Sequence, residues 1–228
     1  MFPFPDAIFG WYDFGATFFW ALSGAMLSAR KGYDIMGVFI IAFVSSTGGG
    51  MLRDCLFLPG SAAPKVIQTP HYLIIVVVVV AIVVVFGRWL RRLSWLPRVL
   101  ALADALGIGA YGAVGMHLAV GAGIPLAGSI LIGVVNAVGG GVLRDLLMSQ
   151  KPELMQPGVL MGLSSVMGCL LFAVLLVLDV PASWGGAAAA LTAFIVRLLA
   201  LQFDFRTRAL SAFEEDWRRG GDGGKSPP

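Results

Sequence analysis

The 228-residue chain is 58% hydrophobic, only 13% charged and carries a formal net charge of +3. Soluble domains average about 25% charged residues, so an ordinary globular domain is excluded. With no basic run interleaved with aromatics, a nucleic-acid partner is excluded too. Apolar runs long enough to cross a hydrocarbon core of about 30 Å recur along the sequence. They are apolar on every side instead of alternating, which fits spanning helices and not barrel strands. The fold class expected is an all-α polytopic membrane protein with seven transmembrane helices.

The N-terminal stretch "MFPFPDAIFGWYDFG" has no basic n-region and no small-residue cleavage site, so the first apolar segment is expected to remain in the chain. Spans of close to 20 residues are expected at about 7–27, 35–58, 72–89, 99–120, 124–148, 158–178 and 184–203. The third contains "IIVVVVVAIVVVF", which would suggest a strand in water. In lipid a helix satisfies the same backbone within one segment. Arg30 and Lys31 follow the first span, Arg88, Arg91, Arg92 and Arg98 the third, and Lys151 the fifth. Arg206, Arg208, Arg218, Arg219 and Lys225 follow the seventh, and the opposite side holds little but Lys65. Basic loops stay cytoplasmic, so the N-terminus is expected outside and the C-terminus inside. The tail "EEDWRRGGDGGKSPP" has a disordered composition, with room for an amphipathic surface helix over 205–217 before it.

Shifting the sequence by 91 positions, the step from Gly48 to Gly139, superposes "STGGGMLRDCL" on "AVGGGVLRDLL". The register holds without a gap from Asp13 against Asp104 to Leu56 against Leu147. We therefore read two three-span repeats over 1–92 and 93–180, a seventh span over 181–205 and a cytoplasmic tail over 206–228. With three spans in each copy, the second enters the membrane from the opposite face. Such inverted repeats place sites near the midplane between the halves. The seventh span carries "GGAAAAL", a small-faced stretch suited to helix packing.

Each glycine costs a helix about 1 kcal/mol relative to alanine. The triplets Gly48, Gly49, Gly50 and Gly139, Gly140, Gly141 are therefore expected to break or kink spans two and five. Close helix packing is the alternative; the symmetric pair, each followed by charges, favours the break. Unwound backbone would offer carbonyl oxygens to a cation, joined by Ser45, Ser46, Thr47 and Asn136 as polar lining. Arg53, Asp54, Arg144 and Asp145 are charges that need partners or water. Sequence neighbours do not face one another on a helix, so the expected ion pairs are Asp13–Arg53 and Asp104–Arg144. Asp54 and Asp145 are then left to attract cations or to cap helix ends.

Cys55 and Cys169 fit buried thiols and show no metal-ligand spacing. His71 and His117 fall near outer membrane boundaries, and no metal site is expected. Trp11, Tyr12, Trp20, Trp89, Trp95 and Trp184 read as belt residues at headgroup level. Tyr111 lies mid-span, able to hydrogen-bond into a polar interior or to pack.

The doubled GGGxxRD motif in two three-span repeats followed by a seventh span resembles the trimeric intracellular cation channel family. The resemblance is closest to its bacterial members, whose repeat carries the older label of glycine-transporter domain, and it covers about residues 6–205. It implies a homotrimer in a bacterial inner membrane, each subunit with its own pore bounded by spans two and five. It also implies passive conduction of potassium, with sodium passing as well, and no cofactor. Animal members carry a Lys-Glu-Val stretch tied to phosphoinositide; here that region reads "GSILIGVVNAVGGG", so the dependence does not carry over. An ordinary membrane lipid can fill the same groove. A secondary transporter of a small solute such as glycine is the alternative, because inverted repeats suit transporters equally. An enzyme is not expected, since Asp13 and Asp104 are placed near opposite faces and form no carboxylate dyad.

Overall fold

In lipid each backbone N–H and C=O must be satisfied by the chain itself, and this sequence meets that demand with helices. A computed structural model describes residues 6–57, 63–90, 92–156 and 161–203. The order is α1 (Asp6–Arg30), α2 (Ile35–Leu52), a π-helical turn (Arg53–Phe57), α3 (Lys65–Gln68) and α4 (Pro70–Leu90), followed by α5 (Leu96–Gly121) and α6 (Leu126–Leu147). A 3-10 turn (Glu153–Met155), α7 (Met161–Val177) and α8 (Ala182–Gln202) complete it. Every expected span has a long helix at its place, and the short α3 is an addition. Among the described residues, four helical stretches are long and apolar enough to cross a membrane: Ile35–Phe57, Pro70–Leu90, Leu126–Leu147 and Ala182–Ala200. The tail over 206–228 and the surface helix expected at 205–217 lie outside the described residues.

The first connection in each copy is built in the same way. Gly32 and Gly123, one shift of 91 apart, adopt φ of +80° and +78°. Tyr33 N donates to Ser28 O at 3.2 Å, and Ile124 N to Ala119 O at 3.1 Å. These six-to-one bonds close the ends of α1 and α5 around a glycine that alone takes a left-handed conformation without strain. Asp34 then caps α2 by accepting from Gly37 N at 2.8 Å.

One apolar cluster lies within the first copy, and a second combines the second copy with α8. Ala21, Ala25, Val38, Ala42, Val76, Val79 and Val83 knit α1, α2 and α4. Ala113, Met116, Cys169, Phe172, Ala182 and Ala189 knit α5, α7 and α8. A third cluster, with Ala16, Trp20, Ile108, Tyr111, Ala137, Val138 and Met161, joins the two. Leu73, Ile74, Val77, Val78, Val84, Val85 and Phe86 of α4 stay exposed, as a lipid-facing helix surface requires.

Two expectations fail here. Trp20 is no belt residue: at 1% exposure it is the largest fully buried side chain, whereas Trp11, Trp89, Trp95 and Trp184 are exposed. Cys55 is exposed on the π-helical turn, and only Cys169 is buried. The π geometry turns Cys55 outward while Arg53 and Asp54 stay inside.

Candidate functional site

The glycine triplets do not break their helices. α2 stays helical through Gly48, Gly49 and Gly50, and α6 through Gly139, Gly140 and Gly141. The glycines instead let the two helices touch backbone to backbone. A Cβ built on Gly49 would run into the carbonyl oxygen of Asn136, and one on Gly140 into that of Ser45. A Cβ on Gly48 would stand 2.9 Å from Leu143 Cδ1, and one on Gly139 3.0 Å from Leu52 Cδ1. Every pair is the other's equivalent under the shift of 91, so the crossing is self-complementary, as across a two-fold axis. An unwound backbone in lipid would leave its polar groups unsatisfied; intact helices at close range avoid that. The irregularity comes just after the first triplet, as the π-helical turn over Arg53–Phe57.

The expected pairs Asp13–Arg53 and Asp104–Arg144 are not formed as direct ion pairs. Arg53 Nε donates to Asp54 Oδ1 at 2.7 Å and Arg144 Nε to Asp145 Oδ1 at 2.8 Å. The guanidinium is long enough to curl back to its neighbour, and in a buried setting the nearest carboxylate wins. The second oxygen of each aspartate caps the following turn. Asp54 Oδ2 accepts from Lys65 N and Asp145 Oδ2 from Glu153 N, both at 2.9 Å. Asp13 instead accepts a hydrogen bond from Tyr72 Oη. Asp104 lies 4.0 Å from Arg197 Nη2, which also holds Glu153 Oε1 at 2.7 Å.

These groups gather around two cavities. The first, of about 20 Å³, is lined by Asp13, Ser46, Thr47, Arg53, Tyr72 and Tyr111 among others, and is large enough for one water. The second, of about 220 Å³, is lined by Ser23, Leu27, Arg30, Asp104, Arg144 and Arg197 among others. A polar network adjoins the smaller one. Tyr111 Oη donates to Ser46 O at 2.6 Å and meets Thr17 Oγ1 at 2.9 Å. Asn136 Nδ2 donates to Tyr111 O at 2.6 Å, and Asn136 Oδ1 accepts from Arg53 Nη1 at 3.3 Å. One face of α1 passes both cavities, with Asp13, Thr17, Trp20, Ser23 and Leu27 in succession.

Of the four residues expected as polar lining, Ser46 and Thr47 border the smaller cavity. Asn136 bridges the π-helical turn and α5 inside the protein, and Ser45 packs against Gly24 at the α1–α2 contact. Tyr72 and Arg197 were not anticipated. A lone arginine inside the apolar run "FIVRLLALQ" was the available signal for Arg197; Tyr72 looks like any tyrosine at a span boundary. Among the described residues no cluster of His, Cys, Asp and Glu is suited to a metal ion.

A family model described as "Glycine transporter" matches residues 10–88 and 101–178. The chain is similar to a UPF0126 membrane protein of Deinococcus radiodurans, 32% identical over 64% of this chain and 65% of that protein. It is also similar to the UPF0126 inner membrane protein YadS of Escherichia coli, 25% identical over 86% of this chain and 93% of that protein. The chain thus spans just under two thirds of the length of the first relative and most of the second. Among solved structures, one that addresses conductance through TRIC cation channels is similar at a TM-score of 0.78 and 26% identity, covering 87% of this chain and 95% of that one. The trimeric intracellular cation channel orthologue from Rhodobacter sphaeroides has a TM-score of 0.79 at 24% identity over 87% of this chain and 99% of its own, which shows the same fold.

Proposed function

The chain belongs to the glycine-transporter family, in the bacterial branch of the trimeric intracellular cation channels, and from that premise we propose that it is a potassium-permeable channel for monovalent cations. It works as a homotrimer in the inner membrane, with one route through each subunit beside the crossing of α2 and α6. The two repeats are inverted, seven helices span the membrane, and the N-terminus lies outside. Sodium passes as well as potassium, and membrane lipid covers the outer apolar faces. The protein moves solute and is not an enzyme.

The observation that carries this reading is the pair of cavities, each walled by one of the repeat-equivalent carboxylates Asp13 and Asp104, with a polar network at the smaller one. A carboxylate in a low-dielectric wall raises the local concentration of cations over anions. Ser46 and Thr47 spend their hydroxyl protons on Ala42 O and Phe43 O, at 2.9 and 2.7 Å. Their lone pairs are therefore free to accept or to ligate toward the smaller cavity. The self-complementary glycine crossing supports the two-fold relation of the halves.

Planar-bilayer recording of the purified protein in a potassium chloride gradient tests the reading. Unitary current steps that reverse near the potassium equilibrium potential are expected. One observation favours a second reading, transport of a small solute such as glycine: the two cavities do not join. Saturable glycine uptake with counterflow, and no unitary steps, would replace the channel by the transporter.

A further inference from the structure

Trp20 and Tyr111 are equivalent residues of the two copies, one shift of 91 apart. They meet edge to face at the centre of the protein, with ring centroids 6.0 Å apart and planes at 80°. On α1 the smaller cavity is walled by Asp13 and the larger by Ser23, Met26 and Leu27. On α5 the order runs the other way, from Ala101 and Asp104 at the larger cavity to Tyr111 at the smaller. Thr17, Trp20, Gly107 and Ile108 fill the layer between. Trp20 and Ile108 of that layer belong to the apolar cluster joining the two copies, and the polar network at the smaller cavity stops there.

The two rings are held differently. Tyr111 is anchored through its hydroxyl to Ser46 O and Thr17. Trp20 is held by shape alone. A Cβ on Gly107 would run into its indole, and one on Gly141 would stand 3.2 Å from its ring. The buried Nε1 of Trp20 has no hydrogen-bond partner among the described residues. An unpaired buried N–H is penalised where it sits and relieved wherever it meets an acceptor or water. About one turn further along the same helix face, at Ser23, the larger cavity has polar walls and room for water.

We propose that Trp20 is the residue that decides passage between the two cavities: its indole is the removable barrier, and Tyr111 is the fixed seat against which it closes. The glycines at 107 and 141 are its socket. The third glycine of the second triplet therefore serves the barrier and not the helix crossing. The barrier acts on any solute passing between the cavities, so only the conductance readout below rests on the channel reading.

The test places a cysteine at Ser23, in the larger cavity, on a Cys55→Ser background in oriented proteoliposomes. A membrane-impermeant thiol reagent is added from the side of the smaller cavity. With Trp20→Ala, modification is expected to be at least tenfold faster than with Trp20 present, while Trp20→Phe remains near the Trp20 rate. Modification from the side of the larger cavity is expected to be unchanged in all forms. Equal rates from the smaller-cavity side, within twofold, would overturn the proposal, and so would an altered rate from the larger-cavity side. In bilayers Trp20→Ala is expected to raise open probability. Faster labelling without ionic current in any form keeps the barrier and removes the channel.

Discussion

Arg53 and Arg144 each find a counter-charge at the next position in the sequence, in a chain where a mid-membrane charge costs about 2.5–3.5 kcal/mol on insertion scales. Their side chains are 3% and 6% exposed, so neither relies on water. The rule that neighbours on a helix point apart holds for short side chains; arginine is long enough to defeat it. What the sequence could not show is that Tyr72 claims Asp13, leaving Arg53 free for Asp54 and Asn136. Removing one partner of a buried pair strands a charge at a cost of about 3–5 kcal/mol, whereas removing both is far milder. Asp54→Ala is therefore expected to lower the thermal midpoint in detergent more than Arg53→Met combined with Asp54→Ala. Additive losses in that double-mutant cycle would show that the pair is not the unit. Asp145→Ala with Arg144→Met should repeat the pattern, because both aspartates also cap a following turn.

At the scale of the helix, the triplets carry two different kinds of glycine. Gly49 and Gly140 lie where backbone meets backbone, and a methyl group there has only a carbonyl to push against. Around Gly50 the nearest atom to an added Cβ is Arg53 Nη2 at 3.7 Å, an ordinary contact. Overpacking of a tight interface costs about 1–3 kcal/mol, while alanine at an open helical site gains up to about 1 kcal/mol over glycine. Gly49→Ala and Gly140→Ala should lower the thermal midpoint, and Gly50→Ala should hold or raise it. Equal losses at all three would mean that the triplets work through backbone freedom after all. The seven long helices, the doubling and the motif charges Arg53, Asp54, Arg144 and Asp145 were legible because length, apolarity and spacing are local signals. A kink and a close approach share one sequence signature, three small residues, and only the partner helix tells them apart. The π-helical turn after Leu52 left no signal of its own, since "RDCL" and "RDLL" differ at one position and only the first leaves the α-helix.

For the molecule as a whole, one end is marked by Arg30, a residue of the basic loops, which shares a cavity with residues of three other helices. Arg30 from the end of α1, Ala101 from the start of α5, Arg144 from the end of α6 and Arg197 from the end of α8 wall a single cavity. Lys31 Nζ reaches Met148 O at 3.2 Å, which ties the ends of α1 and α6 together there. At the other end, Asp13 near the start of α1 meets Arg53 beyond the end of α2 and Tyr72 at the start of α4. α2 thus runs away from the larger cavity and α6 runs toward it, which agrees with the proposed inversion of the halves. Basic loops face the cytoplasm, so the larger cavity should open inward and the smaller outward. Gln68 and Lys151, both exposed, mark the two ends. On a Cys55→Ser background, a cysteine at Gln68 should react with an impermeant maleimide applied to intact cells, and one at Lys151 only after the membrane is permeabilised. The reverse pattern would turn the protein over in the membrane, and labelling of both in intact cells would place the two ends on the same side and dissolve the inverted arrangement. Cys169 of α7 is buried against Gly112 of α5 and Gly133 of α6 and should stay silent in every case.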